Sequence, residues 1–155
     1  MKLDYRATTQ IPTGIPELPV GDDTKAENRM HPIAGHPVPG GLAAKRILIV
    51  EDEPLISLLL EDMLVDLGCV IAGSALDLAE GERLARDASF DAAIVDLNLD
   101  GQTSHSVAAL LDQRGIPYLL ATGYGQAIDF TEPAGLLHKP YRASDLRSQL
   151  EKILG

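Results

Sequence analysis

The sequence predicts an α/β fold, in which a doubly wound sheet of five parallel strands has helices on both faces. Short apolar runs alternate along the chain with longer segments in which apolar residues recur at helical spacing. Most of these short runs are apolar throughout, which is typical of strands that are buried on both faces of a parallel sheet. A helix between consecutive parallel strands supplies the right-handed crossover that such a sheet requires.

The predicted strands are the short apolar runs. The clearest is Ile-Leu-Ile-Val at residues 47–50, because three of its four residues are β-branched. The other runs span residues 70–73, 92–95, 118–121 and 136–138. Five strands of this length suit a single domain of ordinary size.

The predicted helices are bounded by end signals. Pro54 stands in a first-turn position and Gly68 acts as a stop, so a helix is predicted over residues 54–67. Its predicted core stripe consists of apolar residues at helical spacing: Ile56, Leu59, Leu60, Met63 and Leu67. Further helices are predicted over residues 78–87, with a start near Asp77, and over residues 105–113 and 144–154.

Residues 1–44 differ in composition from the rest of the chain. They hold six of the ten prolines and show neither strand nor helix periodicity, so they cannot bury enough apolar surface to offset their ordering entropy. We therefore predict a flexible Pro/Gly-rich extension over residues 1–44 and one folded domain over residues 45–155. Ile11-Pro12 and Ile15-Pro16 leave open an alternative role for the extension in recognition.

The charge and cysteine content exclude several classes of function. The chain has 155 residues and a net charge of −10, and residues 45–155 carry most of the excess negative charge. An acidic domain repels phosphate backbones, which argues against direct binding to nucleic acid or to an anionic membrane. Cys69 is the only cysteine, so a disulfide framework and a cysteine-based metal site are excluded. Without an apolar signal core or membrane-length apolar run, we expect a cytoplasmic protein.

Polar residues follow the ends of four predicted strands. In a doubly wound sheet, ligands bind beyond the carboxyl ends of the strands, so these residues are the candidate site. The strand ends carry Glu51-Asp52-Glu53, Asp96, Thr122 and Lys139-Pro140. Each alone is common in turns and caps, but their joint placement at one edge of one sheet indicates a functional site.

The chemistry of these residues suits phosphoryl transfer. Glu51, Asp52 and Asp96 would bring three carboxylates together, which repel one another unless a cation or a proton intervenes. Oxygen ligands of this kind select Mg²⁺ or Mn²⁺, and such an ion also holds phosphoryl oxygens. A hydroxyl and an ammonium, here Thr122 and Lys139, complete a phosphoryl clamp. An aspartate beside the ion can act as the nucleophile and form an acyl phosphate.

This set of strand ends resembles the receiver domain of bacterial two-component response regulators, over essentially all of residues 45–155. The stretch Ile-Pro-Tyr-Leu-Leu-Ala-Thr-Gly-Tyr-Gly at residues 116–125 is similar to the FATGUY subgroup of alphaproteobacterial single-domain receivers. The sequence from Asp96 to Gly101 also fits that subgroup. The resemblance implies the flavodoxin-like receiver fold with strand order 2-1-3-4-5.

The resemblance also implies roles for the site residues. Asp96 accepts a phosphoryl group from the phosphohistidine of a histidine kinase or phosphotransfer protein. Lys139 and Thr122 each bind a phosphoryl oxygen. The Mg²⁺ ligands are Asp52, directly, and Glu51, through water, completed by Asp96 and the Asn98 backbone carbonyl. We also expect Gly123 to leave room for the phosphoryl group, and Lys139-Pro140 to have a cis peptide bond.

The sequence departs from the usual receiver pattern at the switch. Leu136 stands three residues before the lysine, where receivers commonly have an aromatic residue, so the usual coupling of threonine to aromatic does not carry over. Tyr124 and Tyr141 are alternative reporters, or are simply packed. The segment before Lys139 is short, which predicts a short or irregular fourth helix near residues 126–130. Residues 123–134 are either an order–disorder switch or a permanently flexible loop.

Surplus apolar residues lie on the first predicted helix, at Leu55, Leu58 and Val65. Receivers dock on a kinase or phosphotransfer helix bundle through this helix, and an exposed apolar patch would suit that contact. The alternative is a wider buried stripe. The reduced fourth helix favours a monomer.

The sequence therefore predicts a single-domain response regulator without an output domain, which signals or relays through protein contacts and is not an enzyme acting on an external substrate. One alternative is a receiver-like binding module that works without phosphate. Another is an aspartyl-phosphate phosphatase, which usually has two aspartates at the spacing of Glu51 and Glu53.

Overall fold

The computed structural model describes residues 41–123 and 133–155 of the chain. The main sheet contains β1 (Arg46–Val50), β2 (Val70–Ala75), β3 (Ala92–Asp96), β6 (Tyr118–Thr122) and β7 (Gly135–His138). A separate hairpin is formed by β4 (Asn98–Leu99) and β5 (Gln102–Thr103). The helices are α1 (Pro54–Asp66), α2 (Leu78–Asp87), α3 (His105–Arg114) and α4 (Ala143–Leu154).

The main sheet is parallel and has the order β2-β1-β3-β6-β7. Counting its five strands along the chain, this is the order 2-1-3-4-5, so the predicted doubly wound fold is confirmed. The predicted elements that fall on described residues are also observed, and their ends differ from the predicted ones by at most two residues. The carboxyl ends of β1, β3, β6 and β7 therefore meet at one edge of the sheet.

The core lies on both faces of the sheet, which explains why the strands are apolar throughout. Along β1, Ile47 and Ile49 pack on the face covered by α1 and α4. Leu48 and Val50 pack on the opposite face, which α2 and α3 cover. Because successive side chains of a strand point to opposite faces, both sets of residues must be apolar.

One residue of the predicted core stripe of α1 lies outside the core. Leu59 is 51% exposed, whereas Leu60 and Leu64 are buried. The face of α1 that meets the sheet is centred on Ser57, Leu60 and Leu64, which recur at helical spacing. Leu59 lies about 100° around the helix from Leu60, so its inclusion in the buried stripe was wrong.

Strand β2 is two residues longer than predicted. Ser74 and Ala75 continue the parallel pairing with Ile49 and Val50 of β1. The Ser74 hydroxyl donates to Oε1 of Glu61 on α1 at 2.5 Å, which satisfies a polar side chain at the edge of the core. This partner is distant in sequence, so the local pattern could not predict it.

The described chain begins at Gly41, four residues before the predicted start of the domain. Leu42 is buried in the core on the side of α1 and α4, and its carbonyl accepts from the Cys69 thiol. The Ala44 amide donates to the Gly68 carbonyl at 2.8 Å. The rest of the predicted extension, the predicted fourth helix near residues 126–130 and Tyr124 lie outside the described residues.

Within residues 41–123 and 133–155, no helix combines the length and the apolar character that crossing a membrane would require.

We predict that truncating a leucine of α1 lowers the free energy of unfolding strongly on the buried face of the helix and hardly at all on the exposed face. Leu64→Ala removes a fully buried side chain and should lower the free energy of unfolding by about 2–5 kcal/mol. Leu55→Ala, on the same helix, removes a side chain that is 82% exposed and should change it by less than about 0.5 kcal/mol. Urea denaturation of both variants checks the assignment, and equal losses would contradict it.

Candidate functional site

Three carboxylates meet at the carboxyl edge of the sheet. Glu51 and Asp52 follow β1, and Asp96 is the last residue of β3, the neighbouring strand. One carboxylate oxygen from each of the three lies within 4.8 Å of the others. Glu51 and Asp96 are buried, at 1% and 7% exposure. The pairing of β1 with β3 thus concentrates negative charge where water screens it poorly.

Lys139 brings a positive charge into this cluster. It follows β7, and its peptide bond to Pro140 is cis, as predicted. Its Nζ atom lies 2.6 Å from Asp96 Oδ2 and 2.9 Å from Glu51 Oε2. One ammonium therefore bridges two carboxylates and offsets only part of the negative charge.

The electrostatics show that the cluster lacks positive charge. Burial raises the pKa of Glu51 to about 7; the Lys139 hydrogen bond opposes this shift and the Asp96 charge adds to it. Burial lowers the pKa of Lys139. The hydrogen bonds that its ammonium donates to Asp96 and Glu51 outweigh this effect and raise that pKa above its ordinary value. A divalent cation would reverse the shift of Glu51. Three carboxylates are the hard oxygen donors that Mg²⁺ prefers, so the residues present fit that ion.

A cavity of about 260 Å³ opens onto the cluster. Its walls include Asp52, Asp96, Asn98, Gly123 and Lys139. Four of the predicted site residues, Asp52, Asp96, Asn98 and Lys139, thus line one space, and Gly123 contributes no side chain to its wall. A phosphoryl group is small enough to enter it.

Thr122 ends β6 beside this cavity and is buried. Its hydroxyl donates a long hydrogen bond to the Gly123 carbonyl, with 3.4 Å between Oγ1 and O. This distance is longer than the usual range for a hydroxyl donor, so the bond holds the side chain weakly.

Asn98 presents its backbone to the site. Its amide donates to Asp96 Oδ1 at 3.1 Å. In the hairpin, Asn98 pairs with Thr103. On the side of the turn, the next pair is Leu99 and Gln102. On the other side, the Ser104 amide donates to the Leu97 carbonyl, so Leu97 and Ser104 form a hydrogen-bonded pair. Because hydrogen-bonded and non-hydrogen-bonded pairs alternate in an antiparallel ladder, the backbone groups of Asn98 point away from Thr103. Its carbonyl is therefore not used within the hairpin.

The switch residues are described only in part. Leu136 is half-buried in β7 and pairs with Leu120. The hydroxyl of Tyr141 is buried and has no hydrogen-bond partner in the described part of the chain. Burial raises its pKa to about 12. Tyr141, one of the two tyrosines considered in place of the usual aromatic switch residue, is therefore packed beside the site.

One contact at the site was not predicted from the sequence. The Asp100 amide donates to Asp52 Oδ2 at 2.9 Å. The Asp100-Gly101 dipeptide is a common turn signal in hairpins, and that signal could have indicated the turn. It could not have indicated that the turn touches Asp52.

Leu55, Leu58 and Val65 on α1 are 82%, 55% and 60% exposed. The alternative of a wider buried stripe on this helix is therefore wrong. With Leu59, these side chains form an apolar surface, which we call the α1 face.

We predict that Glu51→Gln becomes more stable relative to the wild type as the pH rises, when no divalent cation is present. The pKa of Glu51 is raised from 4.5 to about 7, so the folded state binds the proton more tightly and loses stability as the pH rises through that window. Glutamine does not titrate. Denaturation in EDTA should show a relative gain of roughly 1–3 kcal/mol between about pH 5 and about pH 8.

Glu53→Gln is the control for this prediction. It removes the same charge from an exposed side chain two residues further along, whose solvation changes little on folding. Its pH-dependent difference should be much smaller. An equal gain in both variants would contradict the role of burial at Glu51.

The comparisons with known proteins agree with this geometry. Residues 47–151 match the family described as the response regulator receiver domain. The chain is 31% identical over 117 residues to the phyllosphere-induced regulator PhyR of Methylorubrum extorquens. This match covers 72% of the chain and 44% of PhyR, so the chain spans less than half of that relative's length.

Solved structures show the same fold. The solution structure of SdrG from Sphingomonas melonis Fr1 is 36% identical, with a TM-score of 0.65, and the match covers 72% of this chain and 98% of SdrG. The receiver domain of a sensor histidine kinase from Pseudomonas aeruginosa PAO1 is 24% identical, with a TM-score of 0.65 and 73% and 99% of the two chains covered. In that structure a magnesium ion is coordinated in the active-site cleft. Together with the parallel sheet and its acidic edge, these matches show that the chain belongs to the response regulator receiver domain family.

Proposed function

We propose that this chain is a single-domain response regulator that accepts a phosphoryl group on Asp96 and signals or relays through protein contacts. The donor is the phosphohistidine of a histidine kinase or a phosphotransfer protein, and the reaction depends on Mg²⁺. The observation that carries the proposal is the position of Asp96, at a strand end and 2.6 Å from the Lys139 ammonium. The other two carboxylates of the cluster lie beside it, and Asp52 and Asp96 line the cavity of about 260 Å³.

The proposed step is a displacement at phosphorus. A carboxylate oxygen of Asp96 attacks the phosphorus atom and forms an O–P bond, giving an acyl phosphate. The P–N bond to the histidine ring breaks, and its electron pair stays on the imidazole nitrogen, which takes up a proton. The Lys139 ammonium, already beside Asp96, stays with the oxygens of the transferred group and balances their charge.

The cation site of the proposal uses the three carboxylates and the Asn98 carbonyl. Asp52 and Asp96 ligate the ion directly, and Glu51, which is one methylene longer than aspartate, ligates it through water. The carbonyl of Asn98 is unused in the hairpin, which supports its inclusion. When bound, Mg²⁺ (or Mn²⁺) neutralises the carboxylates and the phosphoryl oxygens.

Thr122 is proposed to bind a second phosphoryl oxygen. Its present bond to the Gly123 carbonyl is long, and an anionic oxygen is a stronger acceptor than a carbonyl. Exchange of the one acceptor for the other turns the Thr122 side chain toward Asp96.

The α1 face is proposed to dock the phosphodonor. Beside it, Ile56 and Leu59 form one wall of a mainly apolar cavity of about 310 Å³, and Lys139, Pro140 and Tyr141 form the other. Lys139 also lines the cavity at Asp96. A helix bundle on this face would therefore contact a surface that reaches to the phosphoacceptor, which supports this placement.

The proposal includes a stand-alone domain preceded by a flexible extension. The match to SdrG along 98% of that chain supports a receiver that works without an attached output domain. The extension was predicted over residues 1–44; because Leu42 is buried in the core and Ala44 donates to Gly68, the proposal keeps it for residues 1–40, where it remains a prediction from composition.

We predict that acetyl phosphate with Mg²⁺ adds one phosphoryl group to the full chain, and that Asp96→Asn and a chelator each abolish the adduct. Asparagine cannot form an acyl phosphate, and without the cation the carboxylates repel the donor. Intact mass and a phosphate-affinity gel measure the adduct. Absence of an adduct on the wild type with several donors would support a phosphate-independent binding module instead. Repeated turnover of a simple phosphomonoester would support a phosphatase.

We predict that Leu58→Glu slows transfer from a phosphorylated histidine kinase or phosphotransfer protein that acts on the wild type by roughly tenfold or more. Leu58 is 55% exposed, so the charge should not unfold the domain, and labelling by acetyl phosphate should be unchanged. The control is Leu76→Glu, which places the same charge at a residue of similar exposure (48%) that follows β2 and is not part of α1. Equal transfer to both variants would contradict docking through the α1 face.

A further inference from the structure

The β4–β5 hairpin stands directly beside the cation site. Its two strands pair Leu99 with Gln102 and are joined by Asp100 and Gly101. Both joining residues have positive φ, at 51° and 81°, as in a type I′ turn. The Leu99 side chain is buried in the core under α2 and α3, so the hairpin is anchored to the domain on one side.

Two backbone amides of this hairpin donate to site carboxylates. The Asp100 amide donates to Asp52 Oδ2 at 2.9 Å, and the Asn98 amide to Asp96 Oδ1 at 3.1 Å. The turn is closed on itself by the Gly101 amide, which donates to Asn98 Oδ1 at 2.8 Å. The hairpin therefore contacts a carboxylate of β3 and one of the turn after β1 at the same time.

Of the three hydrogen bonds just described, the one from Asp100 to Asp52 acts on a side chain that the sheet itself does not hold in place. Asp52 lies in the turn after β1, outside the pairing of the sheet, and its side chain is half-exposed. An amide donor on one carboxylate oxygen restricts the rotation of that side chain and leaves the other oxygen available. Partners of metal ligands act in this way, since they orient the ligand before the ion arrives.

We propose that the hairpin is a positioning element for Asp52: the Asp100 amide holds Oδ2 of Asp52, which leaves Oδ1 for the divalent cation. This inference rests on the proposed function, because it needs a cation at Asp52. The side chain of Asp100 is not required, since the donor is its backbone. What is required is the turn conformation, which depends on a residue that tolerates positive φ at position 101.

Binding of the cation and formation of the hairpin are then linked, and linkage is reciprocal. A strained turn weakens cation binding, and a bound cation stabilises the bond from Asp100 to Asp52. Both sides of this relation are measurable on the full chain.

The first test compares two glycine substitutions by calorimetric titration with Mg²⁺. Gly101→Val strains the turn, and no atom lies within 4 Å of the added Cβ, so the substitution causes no clash there. We expect its Mg²⁺ affinity to fall by roughly tenfold. The matched control is Gly115→Val at the end of α3, which also has positive φ (64°) and open space around the Cβ. Its affinity should match that of the wild type.

A third variant separates the effect of the turn conformation on Mg²⁺ affinity from the effect of the Asp100 charge. Asp100→Asn removes a carboxylate but keeps a residue that favours this turn, since Asn-Gly is a preferred type I′ sequence. We expect it to lose much less affinity than Gly101→Val. A larger loss in Asp100→Asn than in Gly101→Val would assign the effect to charge and overturn the positioning role.

The second test measures amide hydrogen exchange at Asp100 in the wild type, so it does not depend on a variant. Mg²⁺ should slow this exchange by about fivefold or more. Failure of the wild type to bind Mg²⁺ would overturn the proposed function together with this inference. Normal Mg²⁺ binding with unchanged exchange at Asp100, or with equal affinity in Gly101→Val, would overturn the positioning role alone.

Discussion

The Lys139 ammonium, which lies 2.6 Å from Asp96 and 2.9 Å from Glu51, joins the carboxyl ends of three strands. Without it, two buried carboxylates would face each other uncompensated, which is strongly destabilising in a protein interior. Its backbone supports the same arrangement, because the Lys139 amide donates to the Thr122 carbonyl at the end of β6. The position of the Asp96 side chain and the shape of the cavity therefore both depend on one residue after β7.

This arrangement leaves the site deficient in positive charge by design of the fold. The parallel pairing of β1 with β3 places the carboxylates together, and only one lysine compensates for them. Burial is the main cause of the raised pKa of Glu51, and the charge of Asp96 adds to it. Under the proposed function, a cation and a phosphoryl group would enter as a pair of opposite charges, and each would make the other's binding more favourable.

Most of the fold was predictable because its strands are apolar on both faces and its helices have clear ends. The site was predictable as a set of strand ends, since the topology alone brings such residues to one edge. The β4–β5 hairpin was not, because strands of two residues are too short to show periodicity. Leu59 was wrongly assigned to the buried stripe, because the helical pattern does not show how much of the α1 surface the sheet covers. The two partners of Lys139 depend on side-chain positions that no local pattern encodes.

Lys139 lines both the cavity at the carboxylate cluster and the apolar cavity beside α1. This double position limits how related signalling proteins can diverge in sequence. If Lys139 holds the phosphoryl group as proposed, a duplicated copy of this protein cannot change partners by altering Lys139 without losing that reaction. Ile56 and Leu59, on the other wall, carry no such restriction, and their replacement reshapes the cavity while the chemistry stays intact. Insulation of one signalling pathway from its paralogues would thus accumulate on the helix and leave the Lys-Pro segment unchanged.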